Sequence, residues 1–184
     1  MEKNKIQQVT LFENPIWTCQ LDSHSDFQSA LIETIENYKA NTPNQNSRHH
    51  YTFITNDDIH HNTNFNNLLE GIKDHSKYLV KSWGLESGTQ IGIQSMWGSI
   101  SKPGGILMPH TVPFTFLYGL YFLKTPPSSG MISVQNPTFD ASFFASLPVK
   151  ETTPFNVSRF EYPMPEGMIL YLPGHLNVNS TIND

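Results

Sequence analysis

The feature that most constrains the fold of this chain is the change in its sequence pattern after Gly84. From there onward, short runs rich in β-branched and aromatic residues alternate with the turn-forming segments KPGG, TPPSSG and MPEG. Because no helical periodicity intervenes, this pattern predicts an antiparallel barrel or a double-sheet jelly roll. The predicted strands are TQIGIQSMWGSIS (89–101), FTFLYGLYFLK (114–124), MISVQ (131–135), VSRFEY (157–162) and GMILYL (167–172).

The first half of the chain carries two helical patterns instead. Ser25 and Gln28 have the spacing of a capping box, and apolar residues follow at helical intervals, which predicts a helix over 26–39. A second periodicity predicts a helix over 64–83, ended by Gly84 in the left-handed conformation. We expect both helices to pack on one outer face of the β structure. Two short strands are predicted ahead of them, VTLF (9–12) and IWTCQL (16–21).

Residues 40–63 form a polar segment with two pairs of adjacent histidines, His49-His50 and His60-His61. Paired histidines raise the hypothesis of a metal site. Neighbouring side chains in a loop diverge, however, and no carboxylate or cysteine lies at a supporting spacing. The pattern favours a solvated loop.

Composition and charge limit the classes of partner and compartment. With 184 residues, 38% hydrophobic and 15% charged, the chain is predicted to be one globular domain, with a helical part (1–84) and a β core (85–184). A net charge of −5 and two arginines, Arg48 and Arg159, argue against nucleic acid as a partner. No run approaches the roughly 18 apolar residues of a membrane helix. The single cysteine, Cys19, predicts a reducing, cytoplasmic location.

Several sequence motifs in a fixed order resemble a known family. The chain is similar, over essentially its whole length, to the 2-oxoglutarate/iron(II) oxygenases of marine bacteria and their phages, relatives of the prolyl-hydroxylase-like enzymes. The most specific part is the W-x-x-x-x-KPGG turn, followed by the PHT loop and the strand LYGLYFLKTP. The motifs are LFENPIW (11–17), SRHHYTFITND (47–57), MWGSISKPGG (96–105), PHTVPFTFLYGLYFLKTPPSSGMISVQNP (109–137) and EGMILYLPGHL (166–176).

The resemblance implies a double-stranded β-helix, a cupin-like jelly roll, that holds Fe(II) and 2-oxoglutarate. It places His110 at the first metal ligand and Val112 at the second, where an aliphatic side chain cannot donate to iron. The distal histidine of the family aligns with Val178. His175 is the nearest histidine, and it serves as a ligand only if this loop is shifted.

The resemblance also implies a basic residue that pairs with the far carboxylate of 2-oxoglutarate. The chain stops before the last strand of the family, which normally carries that residue, so Arg159 and Lys124 are the expected substitutes. Loss of that strand would leave an exposed sheet edge, which favours self-association. A sequence that ends in mid-domain, as a fragment of a longer protein, is the alternative.

Two classes of function therefore remain open at this point. The first is a dioxygenase that hydroxylates an unknown small molecule or protein, with impaired or lost metal binding. The second is a non-catalytic jelly-roll protein that uses its cavity or an edge strand for binding. In either case Trp97, Tyr118 and Tyr121 are expected to line the pocket. Alternation along the aromatic strand should send some rings into the pocket and others outward.

Overall fold

The computed structural model describes residues 14–42, 52–86, 88–139 and 148–182. In this part the chain forms two α-helices and antiparallel sheets made of short strands. The elements in chain order are β1 (Trp17–Gln20), α1 (His24–Ala40), β2 (Thr52–Ile54), α2 (Asn66–Ser82), β3 (Ser99–Ser101), β4 (Leu117–Tyr121), β5 (Met131–Gln135), β6 (Arg159–Pro163), β7 (Met168–Pro173) and β8 (Val178–Ser180). Two short 3₁₀ helices, Ile59–His61 and Thr63–Phe65, precede α2.

Strand β7 is the centre of the first sheet, which has the order β1-β7-β4. All six of its residues are buried, because both faces of the sheet are covered. Ile169 and Tyr171 belong to a core shared with the helices, whereas Leu170 and Leu172 belong to a core shared with the other sheet. This alternation explains why the strand reads as a continuous apolar run.

The helices cover one face of this sheet. Phe27, Leu31 and Ile35 recur every four residues along α1 and are buried. Leu68 and Leu79, three turns apart on α2, are also buried in this core. Burial of each such side chain contributes about 1.5–3 kcal/mol of transfer free energy. The predicted packing of both helices on one sheet is therefore confirmed.

The second sheet has the order β6-β5-β8 and faces the other side of the first. Ile132 and Val134 of β5 and Val178 of β8 pack against Tyr118 and Leu172 in the second core. Strand β8 has a further neighbour beyond β5, because the Ser180 amide donates to the Leu107 carbonyl oxygen at 3.0 Å. The strand near the C-terminus is thus paired on both sides.

The two predicted helices are confirmed within a few residues, and Gly84 ends α2 with φ +66°. The prediction of a capping box is wrong, because α1 begins at His24 and both Ser25 and Gln28 lie inside the helix. Gln28 instead donates to the Leu123 carbonyl oxygen at 2.9 Å. This contact ties α1 to the end of β4.

The loop and strand predictions are confirmed only in part. The polar segment 40–63 is predicted to be a loop, but β2 forms within it, where the backbone of Thr52–Ile54 pairs with β3. The run 89–101 yields strand only at Ser99–Ser101, and 114–124 only at Leu117–Tyr121. The predicted strand 9–12 and the pair His49-His50 lie outside the described residues. Neither helix in the described ranges has the length and hydropathy required to cross a membrane.

Candidate functional site

The loop that carries His110 is joined to β8 by a pair of backbone hydrogen bonds. The His110 amide donates to the Val178 carbonyl oxygen at 3.0 Å, and the Val178 amide donates back to the His110 oxygen at 2.9 Å. Residues paired in this way lie directly opposite each other, with their Cα atoms about 5.5 Å apart and their side chains on one face. Positions 110 and 178 are therefore neighbours across the strands.

Val112 completes this group of positions. It lies two residues beyond His110, and its amide donates to the Gly174 carbonyl oxygen at 2.9 Å. Its side chain packs against the second core, which also contains Val178. Position 178 therefore lies opposite His110, and Val112 packs against the same core that contains Val178.

The side chain of His110 has protein partners on both ring nitrogens. Nδ1 lies 2.8 Å from the Met108 carbonyl oxygen, so this nitrogen carries the proton and donates. Nε2 is then the acceptor, and the Tyr118 hydroxyl lies 3.4 Å from it. The two rings meet edge to face, with their centroids 5.6 Å apart.

Tyr118 connects this histidine to Trp97. The Tyr118 and Trp97 rings are stacked with centroids 5.9 Å apart. Burial raises the pKa of the Tyr118 hydroxyl to about 12, so it remains a neutral donor at physiological pH. The structure therefore brings Trp97 and Tyr118 together beside His110.

The remaining aromatic residue of the expected pocket lies elsewhere. Tyr121 is on the opposite face of β4, where it packs with the helical core and its hydroxyl lies 2.5 Å from His24 Nδ1. The difference follows from the pleat, since positions 118 and 121 have opposite parity on the same strand. Tyr121 is a contact between sheet and helix.

His175 is also separate from His110. Its side chain is exposed, and Nε2 lies 3.0 Å from the Asn14 side-chain oxygen, close to the start of β1. Position 175 lies between the end of β7 and the start of β8, whereas position 178 is the one that pairs with His110.

The two basic residues expected to bind a cosubstrate are both exposed. Arg159 lies on β6 and forms an ion pair with Glu161 at 3.2 Å. It lines an open groove of about 810 Å³, whose other lining residues include Ile106, Met131, Asn179 and Thr181 but not His110. Lys124 follows β4 on the surface.

The residues present do not fit an iron centre. Within the described ranges, no group of three His, Cys, Asp or Glu side chains is placed to hold a metal ion. Val178 has 1% of its surface exposed and packs in the second core, and its isopropyl group has no donor atom. A single imidazole with two valines cannot supply the nitrogen and oxygen donors that iron(II) requires.

One cluster of chemically reactive side chains was missed in the sequence. Cys19 of β1, His75 of α2 and Tyr171 of β7 lie in a row beneath the second helix. Their positions are 56 and 96 residues apart along the chain, so no local pattern joins them. Cys19 and Tyr171 are diagonal neighbours on the paired strands β1 and β7, because Trp17 lies opposite Tyr171 and Cys19 lies opposite Ile169.

Comparison with models of protein families gave no match, and a search of curated proteins gave none either. In its described residues the chain has two α-helices packed on antiparallel sheets, and the loop that carries His110 is hydrogen-bonded to β8.

Proposed function

We propose that this chain is a jelly-roll protein of the 2-oxoglutarate oxygenase type in which apolar packing has replaced the metal face. On this proposal it is non-catalytic and acts by binding a partner. A dioxygenase with an impaired metal site is the competing proposal, and the experiment below distinguishes the two.

The observation that carries the proposal is the pairing of His110 with a buried valine. The backbone hydrogen bonds at 3.0 and 2.9 Å hold positions 110 and 178 side by side, as two ligands of one metal would need to be. Yet Val178 is packed among apolar side chains, and Val112 contributes to the same core. On this proposal the backbone register of a metal site is retained, while two of its three ligand positions carry aliphatic side chains.

The arrangement of the sheets supports the jelly-roll part of the proposal. Two three-stranded antiparallel sheets contribute to the second core, and apart from the hairpin of β5 and β6 the neighbouring strands of these sheets are not consecutive in the chain. The orders β1-β7-β4 and β6-β5-β8 both bring a late strand beside earlier ones, as jelly-roll connections do.

Binding on this proposal would use a groove on the surface. The groove beside Arg159 has a volume of about 810 Å³, which lies in the range of small-molecule sites. It combines apolar residues, Ile106 and Met131, with the polar Asn179 and Thr181. A small molecule or a short peptide segment suits this mixture.

Calorimetry under anaerobic conditions tests the loss of the metal site. Mn(II) replaces Fe(II) as the titrant, first alone and then with 2-oxoglutarate. We expect no saturable binding of either, because His110 is the one donor left at the three positions. Saturable Mn(II) binding that depends on His110, together with micromolar binding of 2-oxoglutarate, would refute the non-catalytic proposal in favour of the oxygenase.

A reconstructed site tests the assignment of positions. The double variant Val112→His with Val178→His places three imidazoles together, and we expect it to gain Co(II) or Mn(II) binding that the wild type lacks. The matched control adds His110→Ala to the same background and should lose the gain. If the double variant folds and binds no more metal than the control, the assignment of positions 112 and 178 is wrong. If it fails to fold, Val112→His alone tests the pair at 110 and 112, since position 112 is less buried.

A further inference from the structure

Cys19, His75 and Tyr171 form a connected set of polar groups at the edge of the first sheet. The Cys19 Sγ atom lies 3.1 Å from His75 Nε2, and His75 Nδ1 lies 2.8 Å from the Tyr171 hydroxyl. The His75 and Tyr171 rings meet edge to face, which fixes the plane of the imidazole. A nucleophile, a base and a third group that orients the base are the parts of an activated thiol.

The protonation states follow from this geometry. The thiol donates to Nε2, so Nδ1 carries the ring proton and donates to the Tyr171 oxygen. Burial raises the pKa of the Cys19 thiol, and the Asp22 carboxylate raises it further. Burial lowers the pKa of His75, and the nearby Asp74 offsets part of this effect. The resting pair is therefore a neutral thiol against a neutral imidazole that is free to accept a proton.

Cys19 is partly exposed. It lies on β1, which within the described residues pairs with β7. His75 of α2 contacts its sulfur. We expect a small reagent to reach the sulfur from the exposed side of the residue.

We propose that Cys19 is a site of reversible thiol–disulfide exchange with small disulfides, in which His75 accepts the thiol proton. The Cys19 sulfur attacks one sulfur of R–S–S–R as its proton moves to His75 Nε2. The S–S bond of the reagent breaks, R–S⁻ leaves and takes the proton from His75, and the products are Cys19–S–S–R and R–SH. Atoms and electrons balance with no other oxidant, and a small thiol reverses the step.

Exchange is the reaction that these residues suit best. It needs a thiol, a proton acceptor and a line of approach, and all three are present. Acyl transfer would also need hydrogen-bond donors aimed at an oxyanion, and the partners found around Cys19 are the acceptors His75 Nε2 and, at 3.6 Å, the Gln20 carbonyl oxygen.

The mixed disulfide would alter the packing of α2. The modified sulfur can no longer donate to His75, and the added group occupies the space between β1 and the helix. We expect His75 to lose its thiol partner while it keeps Tyr171.

The chain has one cysteine, so the chromophore released from 2,2′-dithiodipyridine reports on Cys19 alone. The second-order rate constant is measured on the native protein from pH 6 to 8. A thiol that reacts through its own thiolate gains about tenfold per pH unit below its pKa, because the thiolate fraction does. With His75 as acceptor, we expect less than about threefold per unit between pH 7 and 8, since the imidazole is already neutral there.

The variant His75→Gln keeps a polar side chain of similar reach but cannot accept a full proton. We expect the tenfold slope to return and the rate at pH 7 to fall at least tenfold. The matched control is His175→Gln, which removes an exposed histidine bonded to Asn14 and should behave as wild type. Circular dichroism checks that each variant is folded.

Any of three results would overturn the proposal. One is a wild-type slope of tenfold per pH unit, which needs no variant to interpret. Another is a rate that does not depend on reagent concentration, which would mean that Cys19 reacts only after the protein opens. The third is a folded His75→Gln variant with wild-type rate and slope, which would exclude His75 as the acceptor.

Discussion

Gly174 is where the end of β7 approaches the histidine loop most closely, and Gly174→Ala therefore tests how that loop is held. A Cβ atom at this position would lie 2.3 Å from the Thr115 carbonyl oxygen and 2.8 Å from the Val112 carbonyl oxygen. Both atoms belong to the backbone, so no side chain can rotate away. The loop that carries Val112 would have to move by about 1 Å to reach an ordinary contact distance.

The expected loss of stability can be worked out from these contacts. Overpacking of this kind costs about 1–3 kcal/mol. Movement of the loop would also weaken the hydrogen bond from the Val112 amide to the Gly174 oxygen, now 2.9 Å, for about 1 kcal/mol more. The sum is about 2–4 kcal/mol, which corresponds to a fall in Tm of roughly 4–16 °C for a domain of this size.

Thermal unfolding followed by circular dichroism measures the effect, with Gly92→Ala as the matched control. A Cβ atom at Gly92 meets nothing within 4 Å, so we expect the stability of this variant to equal that of the wild type or to exceed it by up to about 1 kcal/mol. Both variants restrict the unfolded chain equally, by about 0.4–1 kcal/mol in favour of folding, so their difference isolates the contact with the loop. If Gly174→Ala melts within about 1 °C of Gly92→Ala, the close approach described here is wrong.

Three further predictions concern the cores and the helix contact. Leu172→Ala, at a residue with 0% exposure, should lower the free energy of unfolding in urea by about 2–5 kcal/mol, whereas Val149→Ala, at 51% exposure, should change it by less than about 0.5; equal effects would contradict the second core. Ser133→Ala should leave stability unchanged or raise it by about 1 kcal/mol, because its buried hydroxyl has no partner within the described residues; a clear loss in the same assay would show that the hydroxyl is bonded. Since burial lowers the pKa of His75, the unfolded chain binds a proton first as pH falls below the ordinary value of about 6.5, so wild-type stability should drop faster than that of His75→Gln between pH 7 and 5; parallel curves would exclude this contribution.

Periodicity was enough to predict the elements that bury a regular face. Phe27, Leu31 and Ile35 recur every four residues, and α1 forms where they predict it. In the segment MISVQ the apolar Ile132 and Val134 are two residues apart and lie in the second core, and β5 spans those five residues. In both cases the signal is local, because the burial of one face dictates the spacing of apolar residues along the chain.

The elements that the sequence did not predict are stabilised by partners distant in the chain. Strand β8 is three residues long and reads as part of a polar turn, yet its backbone pairs with β5 on one side and with His110 on the other. Strand β2 lies in a polar segment and forms because β3 pairs with it. Hydrogen bonds of this kind do not depend on side-chain type, so no residue pattern marks them.

The same limit applies to the candidate site. The resemblance to oxygenases led to positions 110, 112 and 178; the structure pairs 110 with 178 and packs Val112 against the core that contains Val178. It gave no sign that Tyr121 faces the helices, because that depends on the parity of the pleat. Nor did it indicate the contact of Cys19 with His75, which depends on how α2 is docked on β1.

The proposed loss of metal ligands at positions 112 and 178 has a physical explanation. A buried imidazole without a metal leaves a ring nitrogen unsatisfied, which costs about 1–3 kcal/mol, and a valine at the same place removes that cost and adds apolar burial. Once one ligand of a metal site is gone, the others are therefore favoured as apolar residues if they lie in the core, as Val178 does with 1% exposure. His110 does not incur this desolvation cost, because both of its ring nitrogens have protein partners, the Met108 carbonyl oxygen and the Tyr118 hydroxyl. The histidine that remains is the one that the surrounding structure can satisfy without a metal.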